Sequence, residues 1–239
     1  MADGMYIGMA GAAARAAQLE AISDNLANTQ TPGFKKAEPA FEAFLADSKA
    51  KDQAFPVAVS TAFDLSEGAS LHTGERLDVV PNDGAFLAVQ NGDSVAFTRA
   101  GHLTLDPNGF LTAGHNPVLD VNGQPLRVPE NVRAQPTQTE IHSDGTLWFA
   151  NERIGQLATF KLSGPLERIG PTLMRPQPNG QAAAVQSGVR VGELELGNVS
   201  PLTCAVQMVS VQRHFEAAMQ SIQTYRQLDQ RAADVGRVR

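Results

Sequence analysis

Five histidines, His72, His102, His115, His142 and His214, are the residues best suited to hold a metal or move a proton. They show no metal-ligand spacing, and His214, in a helical stretch, has no His or Cys four residues on. Asp106-Pro107-Asn108-Gly109 resembles the start of a calcium loop. Pro107 and the lack of a later bidentate Glu at the right offset make it a hairpin turn instead. Glu193 and Glu195 are two apart and would share one face of a strand. A glycosidase pair converges from separate elements onto a sugar cleft, so these two read as solvated or as contacts between subunits. Trp148 and Phe149 would make a ligand platform, but core or an outer contact is the preferred reading. The single cysteine, Cys204, sits in an apolar helical pattern and reads as a small buried hydrophobe. There is no Gly-x-Ser-x-Gly elbow, phosphate loop or nucleotide fingerprint. The expectation is a protein that is not an enzyme, with no catalytic, cofactor-binding or metal-binding residues, working through its surfaces.

The elements that would build those surfaces stand at the two ends. Met5, Met9, Ala12, Ala16, Leu19, Ser23 and Leu26 alternate spacings of four and three, with Ile22 widening the stripe. That seven-residue repeat predicts a helix over 5–28 packing along a partner helix, roughly 35 Å long at 1.5 Å per residue. It stops at Asn28-Thr29-Gln30-Thr31-Pro32-Gly33, where proline disfavours helix in the residue before it. Cys204, Met208, Val211, Phe215, Ala218, Ile222 and Tyr225 repeat the pattern near the carboxyl end. Asn198 or Ser200 would cap that second helix, with Pro201 in its first turn. Two amphipathic helices suggest a pair, although each would also pack separately on the central region.

From about residue 70 to 165 the character changes. Asn82-Asp83-Gly84, Asn91-Gly92-Asp93, Asn122-Gly123 and Ser143-Asp144-Gly145 separate short apolar runs, which predicts an antiparallel β domain. Residues 37–69 and 166–192, rich in Ala, Gln, Ser, Gly and Pro, read as connecting arms. The fold class expected is α+β: paired terminal helices at 1–36 and 193–239, coiled-coil-like, with a β-rich domain inserted between them. At 239 residues and 42% hydrophobic the chain has enough material for a sizeable core. Its net charge of -6, without a Lys/Arg block, argues against nucleic acid as a partner. Residues 5–14 are apolar and small, but Asp3 is the only charge before Arg15, so no cleaved signal is expected. No stretch reaches the roughly 20 apolar residues of a membrane span.

The segment from Ser23 to Lys35, with Asn25-Leu26-Ala27-Asn28-Thr29 and Thr31-Pro32-Gly33-Phe34-Lys35, closely resembles the amino-terminal motif of the flagellar axial proteins, the rod and hook family. Gly192-Glu193-Leu194-Glu195-Leu196-Gly197-Asn198-Val199 is similar to that family's carboxyl-terminal signature, with Gly197 where Ser is usual. Gln212-Arg213-His214-Phe215-Glu216, Phe97-Thr98-Arg99-Ala100-Gly101, Asn108-Gly109-Phe110-Leu111 and Gly123-Gln124-Pro125-Leu126 extend the likeness through most of the chain. Length and central sequence look most like the proximal-rod branch, with the distal-rod branch close kin. The resemblance implies a structural subunit of the basal-body rod, exported through the flagellar type III apparatus without a cleaved signal. Such subunits build a helical tube across the periplasm that transmits torque, with helices inside and β domain outside. The partners implied are other rod subunits, proximal and distal, and the hook side.

On this reading Leu19, Ile22, Leu26, Val211, Phe215, Met219 and Ile222 bury apolar area within and between subunits. Asn25, Asn28 and Asn198 lie at the helix ends, where Asn25 and Asn28 would hydrogen-bond a neighbour's backbone or cap the helix locally. The alternative is a secreted β-rich binding or adhesion module on a helical stalk. A cell-wall hydrolase would need an acid–base pair in a cleft, and the sequence offers none.

Overall fold

A computed structural model describes residues 2–42, 58–128 and 139–237. The architecture is α+β, with a helix at each end and antiparallel sheets between. In chain order the elements are α1 (Ala2–Ala27), β1 (Ala37–Glu42), β2 (Ala58–Phe63), β3 (Ser70–His72), β4 (Val79–Pro81), β5 (Phe86–Asn91) and β6 (Ser94–Thr98). Next come β7 (Leu103–Leu105), β8 (Leu111–Ala113), β9 (Asn116–Pro117), β10 (Thr139–Ile141), β11 (Thr146–Phe149) and β12 (Glu152–Gln156). The last are β13 (Thr159–Ser163), β14 (Leu166–Arg168), β15 (Leu173–Pro176), β16 (Gln181–Val185), β17 (Val189–Val191), β18 (Glu193–Glu195) and α2 (Pro201–Arg237).

Two compact units result. Of the described residues, one gathers those within 1–27, 37–62 and 200–239, the other those within 28–36 and 63–199. The second is built on a six-stranded antiparallel sheet ordered β14-β15-β6-β5-β13-β16. Its central strand β5 reads Phe-Leu-Ala-Val, an unbroken apolar run, because both of its faces are covered. Leu87 and Val89 join one core with Leu103, Leu111, Val118, Leu147 and Leu157. Phe86 and Ala88 join another with Phe97, Leu119, Leu162 and Met174. The strand period of two thus divides one segment between two cores. The predicted turns fall between strands. Asp106, between β7 and β8, accepts the Phe110 N–H on its own carboxylate at 2.7 Å.

The expectation that 166–192 is a connecting arm is corrected. β14, β15 and β16 are strands of the main sheet, and Leu166, Met174 and Val189 are buried. Ala182, Ala183 and Ala184 carry little strand propensity of their own, and β16 is imposed by five residues of register with β13. Residues 28–36 and 193–199, expected with the helices, cluster instead with the β unit. Of the other arm, 37–69, residues 43–57 lie outside the described residues, and β1 and β2 pair with each other.

In the helical unit α1 lies against α2. Ser200 is the cap that α2 uses, its hydroxyl accepting the Thr203 N–H at 3.4 Å. Among the described residues no helix is long and apolar enough to cross a membrane.

Candidate functional site

The segment after α1 and the segment before α2 meet within the β unit. Gly33 has a φ of 75°, and a Cβ there would stand 2.1 Å from the Ala100 nitrogen, so the turn admits only glycine. Its N–H donates to the Glu195 carbonyl at 2.7 Å. That turn drives Phe34 inward, under the Arg168 guanidinium at 4.4 Å, and Arg168 also donates to the Lys35 carbonyl. Asn198 closes the other side. Its oxygen accepts the Lys36 N–H at 2.7 Å and its amide donates to the Asp64 carbonyl at 2.8 Å. Gly197 lets the two terminal segments touch, since a Cβ there would be 2.8 Å from the Asn28 carbonyl oxygen. A serine at this position would need that backbone to give way.

A buried ionic cluster lies at the centre. Lys35, Arg99 and Glu195 are each 2% exposed or less. Lys35 Nζ donates to Glu195 Oε1 at 2.6 Å, and Arg99 Nε donates to Glu195 Oε2 at 2.7 Å, with a second contact from its Nη2. Arg99 Nη1 reaches the Ala85 carbonyl at 2.6 Å, and its Nη2 reaches the half-exposed Glu67 at 3.3 Å. Gly68 N–H donates to Glu195 Oε1 at 3.0 Å. Burial pushes the Glu195 carboxyl up, but the Arg99 charge and the Lys35 hydrogen bond and charge outweigh it, holding the group below the usual glutamate range. Burial lowers Lys35 below the usual lysine value, against the opposing hydrogen bond and charge of Glu195. The reading of Glu195 as solvated or between subunits is therefore corrected: it is the buried counter-ion of two cations. Glu193, its strand neighbour, is held by Ser70 and Arg190.

The helical unit contains the other expected residues. On α2 the stripe Cys204, Met208, Val211, Phe215, Ala218 and Ile222 is turned inward, with Cys204, Val211 and Ile222 fully buried. Tyr225 departs from it at 40% exposed, and Met219 lies outward at 39%. On α1 the inward face is shifted by one position in places. Ile22 and Ala12 are buried and Leu19 and Leu26 half-buried, but Met9, Ala16 and Ser23 face solvent. The side chain of Met5 lies outside the described residues. Small residues run all round α1, so apolarity alone did not mark its inner side, and packing selects it instead. Gly8 admits Ile222, whose Cγ1 would be 2.9 Å from a Cβ there.

Asn25 neither caps the helix nor points outward. It is buried and forms a two-bond pair with Ala37, donating to its carbonyl at 2.8 Å and accepting its N–H at 2.9 Å. Asn28 makes the local turn, accepting the Thr31 N–H and hydroxyl, each at 3.1 Å. Lys35 and Arg99 were missed as site residues, because their partner lies 160 residues away from Lys35 and 96 from Arg99. Phe149 is core, and Trp148 stacks on His142 at 5.3 Å with its N–H bonded to Thr146. His102 pairs with Asp78 at 2.7 Å. Among the described residues no three His, Cys, Asp or Glu are placed to share a metal ion.

Residues 5–35 match the family described as "Flagella basal body rod protein", and residues 190–235 match "Flagellar basal body rod FlgEFG protein C-terminal". The flagellar basal-body rod protein FlgF of Salmonella typhimurium is 30% identical over 240 residues, covering 93% of each chain. The chain belongs to the flagellar basal-body rod protein family. Flagellar basal-body rod protein FlgG of Bacillus subtilis is 28% identical over 256 residues, covering 94% of this chain and 95% of its own. FlgF of Mesorhizobium japonicum is 27% identical over 224 residues, covering 90% of each. The chain is thus FlgF-like or FlgG-like, a structural subunit of the basal-body rod. These relatives lend no support to an adhesion module. Lys35 falls inside one matched segment, and Glu195 and Asn198 inside the other, so the two segments by which the family is recognised are those the ionic cluster ties together.

Proposed function

We propose that this rod subunit polymerises through α2, which packs on α1 in coiled-coil fashion with one face and on a neighbouring subunit with the other. One observation carries the reading. Of the ten large apolar side chains left exposed among the described residues, six are on α2. Leu202, Val206 and Val209 are 75%, 63% and 52% exposed. At about 100° per residue they fall on the side opposite Cys204 and Val211. A helix apolar on two sides has more to bury than α1 covers. Leu19, Ile22, Leu26, Val211, Phe215 and Ile222 then hold the pair within the subunit, and Met219 flanks the outer face. A heterologous contact of this kind repeats into an open tube that carries torque. The neighbours are other rod subunits and the hook side, in the periplasm, reached through the flagellar export apparatus, and no catalytic step is assigned.

The test compares Val206→Asp with Val121→Asp, which puts the same charge at a site 59% exposed in the β unit. Both variants should fold with unchanged thermal midpoint. Basal bodies purified from cells carrying Val206→Asp should lack the subunit on immunoblots, while Val121→Asp should be incorporated. Normal incorporation of Val206→Asp would refute the reading.

A further inference from the structure

The ionic cluster joins the two ends of the chain. Lys35 follows α1, Arg99 follows β6 in mid-chain, and Glu195 ends β18, shortly before α2. Two buried cations converge on one buried carboxylate, and Glu67, at 41% side-chain exposure, gives Arg99 its second counter-charge. Without Glu195, docking residues 28–36 would bury the Lys35 ammonium against Arg99 with no anion between them. Buried like charges without a counter-ion are strongly disfavoured. The backbone repeats this dependence. Gly33 donates to the Glu195 carbonyl, Asn198 accepts from Lys36, and the Phe34 carbonyl accepts from Asn198 N–H. Every one of these bonds pairs the amino-terminal segment with residues beyond 190.

We propose that the Lys35–Glu195–Arg99 cluster is a completion latch, which docks residues 28–36 and thereby anchors α1 only once the far end of the chain has supplied Glu195. An incomplete chain keeps the segment undocked, because the buried carboxylate that Lys35 and Arg99 share is missing. When the latch closes, Gly197 lies against the carbonyls of Asn28 and Thr29. The residues that follow α1 and precede α2 are then side by side in the β unit. Closing the helix pair becomes a short-loop event. With the latch open, the next residue after α1 that belongs to the β unit is Phe63, and closure entropy grows with the separation in sequence. Helices with little packing are marginal in water, so this difference decides whether α1 is held. The inference concerns the single chain and stands whether or not α2 polymerises.

The experiment is amide hydrogen exchange on the full-length, dilute protein, for wild type, Glu195→Gln and the double variant Glu195→Gln/Lys35→Met. In Glu195→Gln the amides of residues 33–36 and of α1 around Ile22 should exchange about tenfold faster or more, while β5 and β6 keep their protection. In the double variant, where the surplus cation is gone, protection of 33–36 and α1 should return. Three results would each overturn the latch: unchanged exchange at 33–36, loss at 33–36 without loss in α1, or loss spread equally over β5 and β6. Failure of the double variant to recover would also overturn it, since it would show that the surplus charge is not the cause.

Discussion

At the scale of single residues, three buried charges, Lys35, Arg99 and Glu195, meet where the segments after α1 and before α2 come together. Replacing Glu195 with alanine leaves Lys35 and Arg99 buried without their shared anion, which should cost about 3–5 kcal/mol in urea unfolding. The same carboxylate sets a pH dependence. Its folded pKa lies below the ordinary glutamate value of about 4.3, so the unfolded chain takes up this proton first as pH falls. Its contribution is complete above that value and is lost as pH falls through the folded pKa. Stability curves of wild type and Glu195→Gln between pH 6 and 3 should therefore converge as the medium becomes acid, and parallel curves would count against the assignment. Gly33→Ala should destabilise by more than about 1 kcal/mol, because the left-handed turn and the contact with Ala100 both exclude a methyl group. None of this was legible locally. A glutamate in a short strand reads as a solvated residue, and only its far-off partners make it a buried one. The motif residues themselves were visible, but their physical task was not.

At the scale of elements, legibility followed the contrast between faces. On α2 large apolar residues alternate with Arg213, Glu216, Gln220 and Gln223, so the period marked the inner stripe from Cys204 to Ile222. On α1 the surroundings are Ala and Gly, so the period fits more than one face, and Met9, Ala16 and Ser23 of the predicted stripe face solvent. The strands between turns were readable from Asn-Gly and Asp-Gly pairs. Those of 166–192 were hidden, since Gln181–Val185 becomes a strand through its partner β13. Ile222→Ala should cost about 2–5 kcal/mol of helical-unit stability, seen as loss of helical circular dichroism at lower temperature than wild type. Val206→Asp, on the outer face, should leave that transition within about 0.5 kcal/mol. The pair of variants separates the side of α2 that holds the subunit together from the side free for a neighbour.

For the whole molecule, the chain's plan is two ends returning to one place with a β unit inserted between. That plan was readable from the sequence through the order of its segments, as was membership in the rod family through the terminal motifs. The β unit keeps two apolar cores for itself and holds the terminal segments by buried charge. The helical unit keeps one stripe and leaves another exposed. Polymerisation through that second stripe is the central claim, and proximity in the native rod tests it most directly. Val206→Cys in a Cys204→Ser background, with Val121→Cys as the control in the same background, would be treated with a short thiol-to-amine cross-linker in purified basal bodies. A discrete cross-link from position 206 to a rod neighbour, absent or weaker from 121, is the expected result. No cross-link from 206 in rods that have incorporated the variant, with a strong one from 121, would place the contact on the β unit and contradict assembly through α2.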